Sequence, residues 1–231
     1  MAIENVKTKR KVEIQDKIFY KIFLGVYTIL LINLIFVGLL IPIAVAYVLI
    51  GQNVLGLLGL LLVGSIYLQS LVAVVFQMVQ KFFYKQETGF LPKLFAVLKE
   101  NLSLKKLAWR ASLSAMASVL IVDFIFVKSH FALTMTIPVL ILGILTFFIA
   151  MAEQVLAANG LNVATFKAKL KWYFYYSVKH FPLFLASLAL LALVWTSFEW
   201  KPFFTLLFLP SAYVAFVLFI NQTFIEKIKN K

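Results

Sequence analysis

Asn33, Gln69, Asp123 and Glu153 place amide and carboxyl groups inside long apolar runs. In hydrocarbon such groups are costly, and they are kept where they pair with one another, line a polar path or relay protons. Counted from the turn at Gly51-Gln52-Asn53, Asn33 and Gln69 lie at one depth on neighbouring runs, placed to share a hydrogen bond. The pair reads either as glue between helices, worth roughly 0.6 kcal/mol, or as polar lining for a substrate path. Asp123 comes late in its run, roughly 24 Å from the start at 1.5 Å per residue. It is either an interfacial acid near Lys128 or a buried functional acid. Glu153 lies level with Lys105 and Lys106, which suits a salt bridge at the membrane edge. These four are the candidate functional polar residues.

The usual catalytic groupings are missing from the sequence. His130 and His180 fall at opposite membrane faces under the topology derived below, so they cannot share a metal or a triad. Gly56 and Gly59 sit within an apolar run, without the strand-loop-helix setting of a phosphate loop. The chain has no cysteine, which excludes disulfides, thiolate metal sites and cysteine nucleophiles. The expectation is a protein that is not an enzyme and holds neither cofactor nor metal.

The elements that carry these residues follow from composition. The 231 residues are 63% hydrophobic and 13% charged, whereas a soluble domain is about half apolar and about a quarter charged. The apolar residues gather in runs that exceed the ~20 residues a helix needs to cross a bilayer. The sequence predicts an all-α, polytopic membrane protein with six transmembrane helices in three hairpins. The expected spans are 19–48, 54–83, 107–127, 131–158, 182–198 and 203–225, forming one domain over 19–231 behind a basic segment at 1–18. Pro42, Pro138 and Pro210 lie inside spans and are expected to kink them. The first span is expected to be retained, because its apolar stretch is too long for a signal-peptide core.

Charge orients the bundle. Twenty of the 22 cations lie before the first span, between the second and third, between the fourth and fifth, or after the sixth. Only Lys128 and Lys201 belong to the other side. The positive-inside rule then places both termini in the cytoplasm. The net charge of +13 is spread along these flanks, the ordinary sign of topology and not of nucleic-acid binding. Trp195 and Trp200 at one level, and Trp109 and Trp172 at the other, occupy aromatic-belt positions.

Two of the basic connections are themselves amphipathic, at 90–102 and 164–180. In "ETGFLPKLFAVLKENLSLKKLAW" the face Phe90, Leu94, Phe95 and Leu98 forms one helical stripe among lysines. Such a helix suits an anionic membrane surface, the underside of its own bundle or a partner protein. The stripe is expected to bury against lipid or the bundle's edge, with Lys93 and Lys99 toward headgroups or water. Phe90, Leu94 and Leu98 align with Phe166, Leu170 and Phe174 of the second segment. The chain thus reads as a basic helix followed by a hairpin, three times over, the first copy being the weakest.

The segments "NLIFVGLLIPI", "ETGFLPKLFAVLKENLSLKKLAW" and "DFIFV" resemble the YesL-like family of small bacterial membrane proteins. The matching positions are Asn33, Pro42, Glu87, Gly89, Phe95, Lys99, Asn101 and Asp123. The resemblance implies a multi-pass protein of the bacterial cytoplasmic membrane and, through the family's genomic context, a link to carbohydrate uptake. It implies no reaction. The expected role is therefore an accessory or regulatory component of solute uptake, with anionic lipid headgroups and a sugar permease or a second copy as partners. The alternative is a small transporter or channel whose polar path is lined by Asn33, Gln69 and Asp123.

Overall fold

The computed structural model describes the backbone of residues 2–51, 53–130, 133–161, 163 and 165–229. Side chains are described from Phe19 onward, apart from 54, 55, 130, 133–135, 224 and 227–229 within those ranges. The chain is 92% helical, with no strand among the described residues. In order, the helices are α1 (Ala2–Ile50), α2 (Val54–Met78), a π-helical turn (Val79–Tyr84), α3 (Phe90–Asn101), α4 (Leu104–His130), α5 (Leu133–Ala158), α6 (Phe166–Lys179), α7 (Phe181–Trp200) and α8 (Pro202–Lys229).

Six of these contain stretches long and apolar enough to span a membrane: Phe19–Ile50, Gly56–Tyr84, Leu104–Ser129, Thr136–Ala158, Phe181–Trp200 and Pro202–Thr223. The protein is an integral, multi-pass membrane protein. The basic start of the chain is no separate helix, since α1 runs unbroken from Ala2 through the first span. Phe131 and Ala164, expected edges of the fourth span and of the second amphipathic helix, lie outside the described residues.

Local chemistry sets the element ends. Asn53 caps α2, its side-chain oxygen accepting the Gly56 N–H at 3.1 Å, and Thr165 caps α6 by accepting from Ala168. At its other end α2 widens into the π turn, where Lys85 N–H reaches back five residues to the Gln80 carbonyl at 3.1 Å. Gly89, at φ 79°, turns the chain into α3 through the left-handed region that glycine tolerates.

The hairpins α1–α2, α4–α5 and α7–α8 each pack on themselves, and α8 returns to α1. Central α2 touches α1, α3, α4, α5 and α8. Each short basic helix lies against the span before it, α3 on α2 and α6 on α5. Their inner faces correspond in part: Val97 with Tyr173, and Asn101 with Ser177, are all buried. Asn101 and Ser177 also each return a hydrogen bond to the carbonyl four residues earlier.

Packing is uneven along the bundle. The core is built at the end that carries α3 and α6, hereafter the basic end, from Phe76, Val79, Leu94, Val97, Phe148, Ala152, Val155, Tyr176 and Val217. Toward the other end, large side chains such as Leu34, Ile41, Val45, Leu62, Ile121, Ile125 and Leu140 are exposed. In a bilayer those surfaces meet lipid, which is as apolar as they are, so nothing forces them together.

Candidate functional site

Asn33 and Gln69 do not pair. Asn33 is fully buried and faces α8. Its amide nitrogen donates to the Leu207 carbonyl at 2.8 Å, and its oxygen accepts from the Ser211 backbone N–H at 2.9 Å and from the Ser211 hydroxyl. Gln69 turns the other way and donates to the Ser114 hydroxyl of α4 at 2.9 Å. Depth along a helix put the two amides level; rotation about each helix axis separates them. Asp123 is exposed, on a shallow groove with Ser118, Leu58 and Leu62, and makes no ion pair with Lys128. The structure therefore does not gather Asn33, Gln69 and Asp123 onto one path.

Glu153 is buried, and its partner is neither Lys105 nor Lys106. The Arg110 side chain of α4, with no exposed surface, approaches Glu153 Oε1 through Nε at 3.7 Å. Its two other nitrogens reach back to α3, Nη1 to the Asn101 carbonyl at 2.7 Å and Nη2 to Asn101 Oδ1 at 2.8 Å. One planar fork thus ties the end of α3, the start of α4 and the middle of the α5 basic half together. A lysine, with a single nitrogen, cannot reproduce that geometry. Lys106 pairs instead with exposed Glu100.

Trp109 closes the cluster. It is buried, which removes it from the aromatic belt, because α6 folds over it: Phe166 and Tyr173 meet the indole edge-on at 5.0 and 5.8 Å, with Lys169 over the ring. Burial, and then the negative charge of Glu153, push the Tyr173 phenol above its usual range, so it stays protonated. Trp195, Trp200 and Trp172 remain exposed.

In α3, the face divides. Leu94 is buried and Phe90 and Leu98 are half-buried, while Phe95 is 67% exposed and turns away from the bundle. The inward row is Leu94, Val97 and Asn101. Its entry is fixed by Phe82 against Phe90 at 4.8 Å and by Lys93 paired to Glu87 at 2.8 Å. Lys99 is exposed.

A groove of about 740 Å³ lies at membrane level among α2, α4, α5, α7 and α8. Gln69, Gln154 and Tyr213 are polar members of an otherwise mostly apolar wall. In the sequence Gln154 is overshadowed by the charge of Glu153 beside it, and Tyr213, between Ala212 and Val214, has no charge to mark it. Arg110 was visible there only as one more flanking cation, although it is one of two arginines among 20 lysines. Among the described residues no cluster of histidine and carboxylate side chains could hold a metal. No family profile, curated protein or solved structure matches this chain.

Proposed function

We propose that this protein is a non-enzymatic accessory or regulatory component of solute uptake in the bacterial cytoplasmic membrane, with both termini inside. One observation carries the reading: α3 and α6 are locked to the bundle on one face while presenting aromatic and cationic side chains on the other. Leu91, Phe95, Trp172, Phe174 and Tyr175 are all exposed at the basic end, beside Lys99, Lys167, Lys171 and Lys179. A rigid surface of that composition suits anionic headgroups and a permease seated beside them. The cation bias supports the inside placement of this end. The carbohydrate clause rests on the resemblance to the YesL-like family alone. A transporter path through Asn33, Gln69 and Asp123 draws no support from their separate positions.

The test is a photo-crosslinking amino acid at Phe95 or Tyr175 in native membranes, followed by identification of what is attached. A multi-span permease is expected at both positions. Attachment of lipid or of a second copy alone would overturn the accessory reading. Single cysteines check orientation: Asn53, Ser129 and Glu199 should label from outside the cell, and Gln86 and Thr165 should not.

A further inference from the structure

We propose that the groove among α2, α4, α5, α7 and α8 binds one uncharged, hydroxyl-bearing lipid of the diacylglycerol type. Its volume of about 740 Å³ falls in the range of small-molecule sites, roughly 300–1,000 Å³. The groove opens sideways, because Leu68, Ile121 and Leu140 on its wall are exposed at span level. A ligand therefore enters from the bilayer, and the apolar wall accepts its acyl chains.

Three polar atoms mark where the head sits. Gln69 Oε1, Gln154 Oε1 and the Tyr213 hydroxyl are each buried with no hydrogen-bond partner among the described residues. Gln154 as a whole is 3% exposed. Buried polar groups are normally satisfied, and three orphans on one wall mark a place where something else satisfies them. The Gln69 amide is held by its nitrogen on Ser114, which leaves its oxygen as the free end. Arg110 and Glu153 approach each other one helical turn before Ser114, so Gln154 lies roughly 6 Å nearer the basic end than Gln69. The free groups are thus spread over the length of a small head.

Two amide oxygens call for donors, and the phenol takes either a donor or an acceptor. The one hydroxyl of such a head donates to a single amide oxygen, that of Gln154, and accepts from the Tyr213 phenol. The lining contains no Asp, Glu, Lys, Arg or His, so a phosphate or ammonium head would enter hydrocarbon without a counter-charge. That selects a neutral head over the charged and zwitterionic bulk lipids. This inference stands apart from the accessory role, since it concerns the membrane-spanning helices and not the outer faces of α3 and α6.

The experiment uses the full chain in mild detergent, with native mass spectrometry against dioleoylglycerol and dioleoylphosphatidylglycerol at equal concentration. One dioleoylglycerol per chain is expected, retained in preference to the anionic lipid. Tyr213→Phe and Gln154→Leu should each weaken retention about tenfold, the effect of one lost hydrogen bond. With an orphan atom removed, Gln154→Leu should also melt higher than wild type when delipidated and gain less from added dioleoylglycerol. That pairing separates lost binding from failed folding. Equal retention of both lipids, a dimer without lipid, or unchanged retention in both variants would overturn the proposal.

Discussion

Asn33 holds both halves of a helix hydrogen bond that belongs to Ser211. An uninterrupted α8 pairs the Ser211 N–H with the Leu207 carbonyl; the Asn33 amide accepts from the first and donates to the second. Pro210, which has no N–H and crowds the preceding turn, stands directly before Ser211. The side chain of one helix thus completes the backbone of another beside its proline.

Asn33→Leu should therefore be more damaging than Gln69→Leu. The first leaves buried backbone groups to find new partners, about 1–3 kcal/mol; the second removes one interhelical bond, roughly 0.6 kcal/mol. Because the two amides share no partner, the double variant should equal the sum within about 0.5 kcal/mol. Unfolding of the purified protein in detergent measures all three. A double variant milder than Asn33→Leu alone would mean that the amides are coupled after all.

Arg110→Leu strands Glu153 in the core and frees both Asn101 acceptors. A loss of about 3–5 kcal/mol is expected, visible as a lowered thermal midpoint. Arg110→Lys keeps the charge but not the fork, so it should recover only part of the loss. Adding Glu153→Leu to Arg110→Leu should restore some stability by removing the stranded charge. A lysine variant as stable as wild type would refute the role assigned to the guanidinium plane.

The two neighbours Leu94 and Phe95 should behave oppositely. Leu94→Glu buries a charge against α2 and should detach α3, raising protease access across residues 87–103 in inside-out vesicles. Phe95→Glu changes an outward side chain and should leave that access near the wild-type level. Equal effects would mean that the inner face does not hold the helix.

The start of α3 should loosen in acid. The hydrogen bond and positive charge of Lys93 hold the Glu87 carboxyl below its usual range. A depressed value in the folded state means that the contribution is complete above the unfolded carboxylate value, about 4.3, and fades as pH falls through the lowered one. Hydrogen exchange at residues 89–93 should therefore show opening, beyond its intrinsic pH dependence, only in that acid window. Glu87→Gln should abolish the extra transition while leaving α3 helical.

Six spans were readable because crossing hydrocarbon demands length and apolarity, and both are properties of a single run. Facing was not readable, because lipid and protein interior are equally apolar: the stripe through Phe90, Leu94, Phe95 and Leu98 held no information separating Leu94 from Phe95. Asn33 posed the same difficulty, since its partner Ser211 comes from the last helix. Trp109 has an interfacial position in the sequence, and the helix that covers it, α6, lies more than fifty residues further on. Arg110 did carry a signal, an arginine where the chain otherwise spends lysine, and the fork geometry explains that choice.

The Arg110 cluster also sets an order of assembly. Asn101 is synthesised before Arg110, but Glu153 follows only after the rest of α4 and most of α5. At roughly 5–20 residues per second, several seconds separate the cation from its acid. Over that interval α4 is ready to enter the bilayer while its guanidinium has no counter-charge, which favours holding that end of the helix at the water boundary. Completion of the second hairpin delivers the carboxylate and lets the α3–α4 corner sink into place. The ribosome's progress through α5 thus acts as the timer for closing this joint.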